Sequence, residues 1–325
     1  MENHHIPMRA ACPDPLARAP RVAGTATTQS LRLAPPSLNG ALVALIGRDL
    51  TPISTQPGGH LRSDQQDQQH ASQCLESAQC LTHFPASPLV TISWFPDMDA
   101  GLVTPQGWQS FGAPVVLSGT QSAPMVSWTP TPGRGYMACF TADAAQALFD
   151  VDMAAIQNRF VPATQALDAR FAPLLDALLA SRDQDVLAVL EQHLAPRWQA
   201  LQGRASAAPS LRQVGRHWVE RLAWHAHGWR NQHSPRHVER RIKSFSGRSL
   251  REWQALTRTE GLFFAARDRH EAGQPFDWAG LALEEGFADQ AHMSRTVKRI
   301  TGFAPAEFAQ RFIEDESFWM YRLWV

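Results

Sequence analysis

The sequence contains very little lysine, tyrosine or cysteine for its length of 325 residues. Its two lysines are Lys243 and Lys298, so arginine supplies nearly all of the positive charge. Lysine and arginine together number 30, as do aspartate and glutamate, and the formal net charge is therefore zero. Proteins that bind nucleic acids usually carry a basic excess, so the total charge taken alone argues against that class.

Long apolar runs are also missing. A transmembrane helix needs roughly 18 consecutive apolar residues, whereas residues 41–46 are among the longest runs here. The N-terminus lacks the apolar block of a secretion signal. The cysteines at positions 12, 74, 80 and 139 have no metal-ligand spacing, which indicates free thiols in a reducing compartment. The sequence therefore predicts a cytoplasmic protein that does not associate with a membrane.

Catalytic and cofactor motifs are not found either. The chain has no nucleotide-binding loop, nucleophile elbow, zinc-protease helix or dinucleotide fingerprint. Five histidines cluster in the sequence, at positions 217, 225, 227, 233 and 237, but their spacing does not bring them to one face of a helix. We therefore expect no catalytic residues, no metal and no cofactor, and the chain is predicted not to be an enzyme.

The hydrophobic pattern changes along the chain. Short strand-like runs separated by Gly and Pro occupy residues 41–140 and predict an antiparallel sheet. From residue 142 apolar residues recur at three- and four-residue spacing, which predicts helices. Residues 1–36 are interpreted as a disordered leader, 37–201 as one domain, 202–210 as a linker and 211–325 as a helical domain. A polar stretch over residues 56–73 is predicted to be a loop.

Dividing the chain at this linker changes the interpretation of its charge. Residues 1–209 carry 12 Arg and no Lys against 16 acidic residues, a net charge of −4. Residues 210–325 carry 18 Lys and Arg against 14 acidic residues, a net charge of +4. The basic excess that the whole chain lacks is therefore present in the helical half.

The helical half contains an internal repeat. Residues 234–248 align with residues 289–303 at a constant offset of 55 positions, and the two lysines of the protein fall at equivalent places. Each copy starts with an N-cap residue, Ser234 or Asp289, and ends at a glycine, Gly247 or Gly302. Each predicted helix has one apolar stripe and an opposite face rich in basic side chains. Two matching copies argue against an ordinary solvated surface.

The elements around the second copy predict a helix-turn-helix. A short amphipathic helix from Trp278 ends at the Gly286 turn and leads directly into the basic helix. In the first copy, residues 224–234 are interpreted as a long, irregular turn. Ser249 opens a connecting helix to about residue 268, roughly 30 Å long, which is close to the ~34 Å between successive major grooves on one face of DNA.

These motifs resemble a known family. Residues 276–308, FDWAGLALEEGFADQAHMSRTVKRITGFAPAEF, look like the second helix-turn-helix and signature of AraC/XylS-type transcription regulators. Residues 234–253 resemble the recognition helix of the first unit. The resemblance implies an α+β protein with an N-terminal β-rich, sensor-like domain with flanking helices. Its C-terminal all-α domain would contain two helix-turn-helix units joined by a long helix.

The resemblance also implies a function and a set of binding residues. It implies sequence-specific binding of double-stranded DNA in a bacterial cytoplasm, at the nucleoid. In one half-site, the residues that would contact bases are Arg236, Glu239 and Arg240. In the other half-site they are His292, Ser294 and Arg295, and Gln290 lies on the same face of that second helix. The residues that would contact phosphates are Lys243, Lys298 and Arg299.

Other interpretations stay open at this point. A small-molecule effector of the N-terminal domain, RNA polymerase and a second copy of the chain are further candidate partners. Alternatively, the basic faces bind partner proteins instead of DNA, or the N-terminal domain is an enzyme. Trp94, Trp108 and Trp128 either line a ligand cavity or pack in the core, and core packing is the commoner role. The aromatic residues 318–325 are predicted to dock back on the protein.

Overall fold

The computed structural model describes residues 11–21, 27–51, 76–201, 213–274 and 277–324. The predicted linker over residues 202–210 and the predicted loop over residues 56–73 lie outside these described residues. The fold class is α+β, as the sequence predicts: a β-rich N-terminal domain precedes a helical C-terminal domain. Within the described ranges, no helix combines the length and apolarity needed to cross a bilayer.

Two antiparallel sheets form the N-terminal domain. The strands are β1 (Thr28–Leu33), β2 (Leu42–Asp49), β3 (Leu81–Phe84), β4 (Val90–Trp94), β5 (Gly101–Thr104), β6 (Gly107–Ser110), β7 (Val115–Ser118), β8 (Met125–Trp128), β9 (Arg134–Phe140) and β10 (Phe160–Pro162). One sheet has the order β1-β2-β9-β4-β7-β10 and the other β3-β8-β5-β6. Because β2 and β9 lie inside the larger sheet, they are almost entirely buried.

Among the described residues, the α-helices of this domain are α1 (Ala142–Phe149), α2 (Met153–Ile156), α3 (Ala163–Ala166), α4 (Ala172–Ala180) and α5 (Val186–Leu201). The apolar stripes predicted for α4 and α5 are buried at Leu174, Leu178, Leu190 and Leu194. Trp94 is fully buried and stacks on Tyr136 with ring centroids 5.4 Å apart. Trp94 therefore has the packing role that sequence reasoning favoured.

Seven helices follow: α6 (Val214–Arg230), α7 (Pro235–Ser246), α8 (Leu250–Glu271), α9 (Trp278–Glu284), α10 (Gln290–Thr301), α11 (Pro305–Glu314) and α12 (Trp319–Trp324). Helix α8 begins with a capping box, in which Ser249 and Glu252 satisfy each other's backbone N–H groups. At 22 residues it spans about 33 Å. It contacts α6, α7, α9 and α10, so it is the central helix of the domain.

Two predictions about local structure are wrong. Residues 28–33, inside the predicted disordered leader, form β1, because their backbone groups pair with β2 from Thr28 opposite Asp49 to Leu33 opposite Ala44. Residues 224–230, inside the predicted irregular turn, continue α6 as far as Arg230. Ala226 is buried with Val238 and Ile242, and this tertiary packing extends the helix through a sequence rich in His and Trp.

The two domains share one hydrophobic core. Leu45 and Val90 from the sheet belong to the same buried cluster as Trp218 of α6, Trp253 of α8 and Ile300 of α10. An ion pair between Arg221 and Asp143 lies at the edge of this contact. The helical domain is therefore packed against the β-rich domain rather than separated from it.

The C-terminal segment, residues 315–323, makes a second contact between the domains. Asp315 forms a β-bridge with Pro20, and the Glu316 N–H donates to the Ala19 carbonyl at 2.6 Å. The Trp319 indole donates to Thr82 Oγ1 at 2.9 Å. The predicted docking of the aromatic C-terminus on the protein is thus confirmed for the described residues, and β3 is its main platform.

Candidate nucleic-acid interface and interdomain cavity

Helix α7 has the local signals that its sequence predicts. Ser234 Oγ accepts a hydrogen bond from the His237 N–H at 3.4 Å, and Pro235 occupies the first turn. Gly247 ends the helix with φ of 81°, a left-handed conformation that favours glycine. Val238 and Ile242 are buried. These constraints fix which side of the helix faces solvent.

Helix α10 repeats this geometry. Asp289 Oδ1 accepts from the His292 N–H at 2.6 Å, and Gly302 ends the helix with φ of 85°. Met293 and Val297 are fully buried. Both helices are 12 residues long, so the internal repeat in the sequence corresponds to a repeat in three dimensions.

The residues proposed to contact DNA lie on the faces opposite these buried stripes. Eight of the ten are exposed, and His292 and Ser294 are half-buried. The exposed ones are Arg236, Glu239, Arg240 and Lys243 on α7, and Gln290, Arg295, Lys298 and Arg299 on α10. Each helix therefore presents one basic surface to solvent, although nothing in the structure shows what occupies it.

Several of these side chains have local partners, among them Arg240, whose Nη2 lies 3.1 Å from His237 Nδ1. Lys243 Nζ lies 3.5 Å from Glu239 Oε1, an exposed pair one helical turn apart. His292 Nδ1 accepts from the Ala288 N–H at 3.4 Å. Because Nδ1 is an acceptor in this arrangement, the neutral ring carries its proton on Nε2. In that tautomer, Nε2 is the ring nitrogen of His292 that can donate a hydrogen bond.

The carboxyl-terminal ends of α7 and α10 lie near each other and near the β-rich domain. Burial lowers the pKa of Arg248, and the positive charge of Arg299 lowers it further. The Gln157 side chain of the N-terminal domain contacts Gly247 so closely that a Cβ there would overlap it. The first basic helix is thus in direct contact with the N-terminal domain.

A cavity of about 190 Å³ lies between the two sheets, and residues of the helical domain also line it. We call it the interdomain cavity. Its walls include Ile46, Phe84, Leu102, Met137, Leu256 and Phe263. Further lining residues come from α10 and α12, among them Ile300, Trp319 and Met320. For comparison, an apolar protein cavity of about 150 Å³ is enough to hold benzene.

Arg48 lines this cavity, and both of its Nη atoms are engaged, whereas its buried Nε has no hydrogen-bond partner among the described residues. Its Nη1 donates to the Leu81 carbonyl and Thr82 Oγ1, and its Nη2 donates to the Gln79 carbonyl at 2.9 Å. Arg48 Nη2 also lies 3.4 Å from Glu316 Oε1, and both side chains are buried. Burial lowers the pKa of Arg48 to about 10, partly offset by Glu316, so Arg48 stays charged at neutral pH.

Glu260 of α8 is the second charged residue in the cavity wall. Its carboxyl lies against Gly215 of α6, where a Cβ would overlap Oε2. Burial raises the pKa of Glu260 to about 8. Sequence reasoning missed this residue, although a signal was available. Glu260 stands four residues after Leu256 and three before Phe263, in the buried stripe of the helix.

The clustered histidines do not form a metal site. The rings of His233 and His237 lie 4.3 Å apart, and His225 stacks on Trp229. Among the described residues, no group of three or more His, Cys, Asp or Glu side chains is arranged to hold a metal ion. His233 Nε2 instead lies 3.1 Å from Arg241 Nη1.

Comparison with known proteins gives few matches. No protein-family model and no curated protein matches the sequence. Among solved structures, apo ToxT from Vibrio cholerae strain SCE256 gives a TM-score of 0.38 at 12% identity, covering 85% of this chain and 98% of that chain. ToxT from strain O395 gives 0.33 at 11% identity, covering 72% and 94%. The wild-type SCE256 protein with a bound unsaturated fatty acid gives 0.33 at 12% identity, covering 72% and 94%. These TM-scores are too low to carry an argument about function.

Proposed function

We propose that this protein is a transcription regulator that binds double-stranded DNA through α7 and α10 and responds to a small apolar effector. The observation that carries the DNA-binding part is the structural repeat. Two helices of equal length share the same type of N-cap, the same left-handed glycine and an exposed basic face. This is the organisation that the resemblance to AraC/XylS-type regulators implies, and with it we propose association with the bacterial nucleoid.

The side chains on each basic face differ in the contacts they would make. An arginine can donate two hydrogen bonds to the O6 and N7 atoms of guanine, so Arg236, Arg240 and Arg295 are assigned to bases. Lys243, Lys298 and Arg299 lie nearer the C-terminal ends of their helices and are assigned to phosphates, which fix the register. Glu239, Gln290, His292 and Ser294 complete the base-facing set. With a net charge of only +4 in this half, specificity would depend on these few side chains.

The interdomain cavity supports the effector part of the proposal. Both sheets line it, and so do α8 and α10, which belong to the helical domain. A molecule bound there would touch both domains at once. Its binding energy would therefore depend on how the helical domain is packed, which is the condition for a ligand to shift a conformational equilibrium. The sensor domain would extend from β1 at residue 28 to residue 201, and residues 211–325 would form the DNA-binding domain.

Replacing Arg295 and Lys298 separately tests the DNA-binding assignment. Arg295→Ala should weaken binding to a selected duplex by about 1–3 kcal/mol and relax the preference at one base position. Lys298→Ala should weaken binding to all sequences and reduce the salt dependence by about one phosphate contact. The measurement is a fluorescence anisotropy titration at two salt concentrations, with a duplex that the full chain selects from a random pool.

Arg182→Ala is the matched control, because Arg182 is an exposed arginine of the N-terminal domain. It should leave both affinity and salt dependence unchanged. If Arg295→Ala and Lys298→Ala also leave DNA affinity unchanged, the assignment is wrong, and the basic faces become candidates for protein partners.

An apolar ligand of the cavity should stabilise the full chain and alter its DNA affinity. By mass action, a ligand at 100 times its dissociation constant adds about 2.7 kcal/mol of stability. Thermal unfolding with and without the ligand measures this effect. The Arg295→Ala protein should keep the full stabilisation, because its cavity is intact. A ligand that raises the melting temperature but leaves DNA affinity unchanged would contradict the effector role.

A further inference from the structure

Of the two charged side chains in the described part of the cavity wall, one has no hydrogen-bond or ion-pair partner among the described residues. Arg48 and Glu260 are the charged residues among the described residues that line it. Arg48 is bonded to Glu316 and to protein oxygens on β3 and the turn before it. Glu260, in contrast, has no hydrogen bond or ion pair with any described residue, and burial is the one influence that shifts its pKa.

The Glu260 carboxyl lies where α6 packs against α8, and both Glu260 and Gly215 belong to the cavity wall. Gly215 has no side chain, which leaves room for Oε2 against the α6 backbone. Protein atoms surround the Glu260 carboxyl, although the residue as a whole is only partly buried. Because Glu260 lines the cavity, we attribute this remaining accessible surface to the cavity wall.

We propose that the cavity binds an apolar molecule that carries one protonated amine, and that its ammonium group pairs with Glu260. This inference rests on the proposed effector role of the cavity. An ammonium ion supplies the charge and the hydrogen-bond donors that a buried carboxylate needs. An anionic headgroup would gain little from Arg48, because both Nη atoms are engaged and its partnerless Nε is enclosed by protein. At pH 8, where about half of Glu260 is ionised, that carboxylate would also repel an anion.

Binding of the amine should release a proton. Because burial raises the pKa of Glu260 to about 8, the empty cavity holds a neutral carboxylic acid at pH 7. Pairing with an alkylammonium ion favours the carboxylate, and the carboxyl proton then leaves to solvent. The affinity for a protonated amine should therefore rise with pH up to about 8.

Other ionisable groups near the cavity do not interfere with this titration. Burial raises the pKa of Tyr136, Cys139 and Tyr321, so these three are uncharged at neutral pH. Arg48 is paired with Glu316. Burial raises the pKa of Glu285, the residue after α9, and the positive charge of Arg216 on α6 partly offsets this rise. Neither Arg216 nor Glu285 shifts the pKa of Glu260. Glu260 should thus titrate independently between pH 6 and 9.

Three probes that differ only in their headgroup test the proposal on the full-length chain. At pH 8, n-octylamine should bind at least tenfold more tightly than n-octanol, and octanoate should bind more weakly than n-octanol. Glu260→Gln should reduce octylamine affinity by tenfold or more and leave octanol affinity within twofold. Glu271→Gln is the matched control, because Glu271 is an exposed glutamate on the same helix.

A second measurement requires no variant. Isothermal titration calorimetry at pH 6.5 in two buffers of different ionisation enthalpy should show release of nearly one proton per octylamine bound and none for octanol. Octylamine affinity should rise nearly tenfold between pH 6 and pH 7. Octanoate binding as tightly as octylamine, or octylamine binding that is insensitive to Glu260→Gln, would overturn the proposal.

The measurement with n-octanol distinguishes a failure of the amine proposal from a failure of the proposed effector role. If octanol binds and octylamine gains nothing from Glu260, the amine class is wrong and the apolar cavity stays a ligand site. If no probe binds, the effector role fails together with the amine proposal.

Discussion

Glu316→Ala should lower the free energy of unfolding by about 3–5 kcal/mol, the cost of leaving a buried charge without its partner. Glu316 is buried and lies within 3.4 Å of both Arg48 and Arg322. It also accepts from Gln29 Nε2 at 2.6 Å. Removing its carboxylate leaves two guanidinium groups at the domain contact without their carboxylate partner. Urea unfolding of the full chain measures the loss.

Glu314→Ala provides the matched control, two residues earlier in the chain. The Glu314 side chain is 60% exposed, and its ion pair with Arg18 spans 3.9 Å at the surface. Exposed pairs of this kind contribute less than about 1 kcal/mol, so this variant should remain close to the wild type. Equal losses in the two variants would show that the buried pair does not hold the C-terminal segment in place.

Glu260→Gln should change how stability depends on pH. The pKa of Glu260 is about 8 in the folded protein against an ordinary value of 4.5. Between these values the folded state keeps a proton that the unfolded state has lost, so the wild type loses stability as pH rises from 4.5 to 8. A single proton limits this loss to about 1.4 kcal/mol per pH unit. Water in the cavity would screen part of the charge, so we expect about 2 kcal/mol between pH 5 and pH 9.

The glutamine variant cannot ionise and should lack this loss. It should match the wild type near pH 5 and exceed its stability by about 2 kcal/mol at pH 9, because the buried carboxylate is absent. Urea unfolding at pH 5, 7 and 9 gives the comparison, with Glu271→Gln expected to follow the wild type. Parallel pH profiles for wild type and Glu260→Gln would mean that the carboxyl is already solvated or paired.

Local signals made much of the helical half predictable from the sequence. Each of the N-cap residues Ser234, Asp289 and Ser249 accepts a hydrogen bond from the backbone N–H three residues later in the chain. Each left-handed glycine ends its helix through its own backbone conformation. These features depend only on the residues at the helix ends themselves, so the first and last residues of α7 and α10 can be predicted from the sequence. The roles of their basic side chains toward DNA stay a prediction.

The elements that the sequence did not indicate depend on distant partners. Strand β1 has an ordinary loop-like sequence and is ordered by pairing with β2. The extension of α6 to Arg230 depends on packing between Ala226 and Val238. The cavity needs both sheets and four helices at once, which no local pattern specifies. Glu260 is an exception, because an acidic residue within an apolar stripe is visible in the sequence itself.

The C-terminal segment has a mechanical consequence for the helical domain. A body attached at one point can swivel in every direction, whereas one attached at two points can turn only about the line that joins them. The helical domain follows the β-rich domain in the chain, and its far end returns to β3 through Trp319 and Thr82. The shared core and the contact between Gln157 and Gly247 join the domains at further points, so a movement of α7 and α10 relative to the β-rich domain would have to break at least one of these contacts.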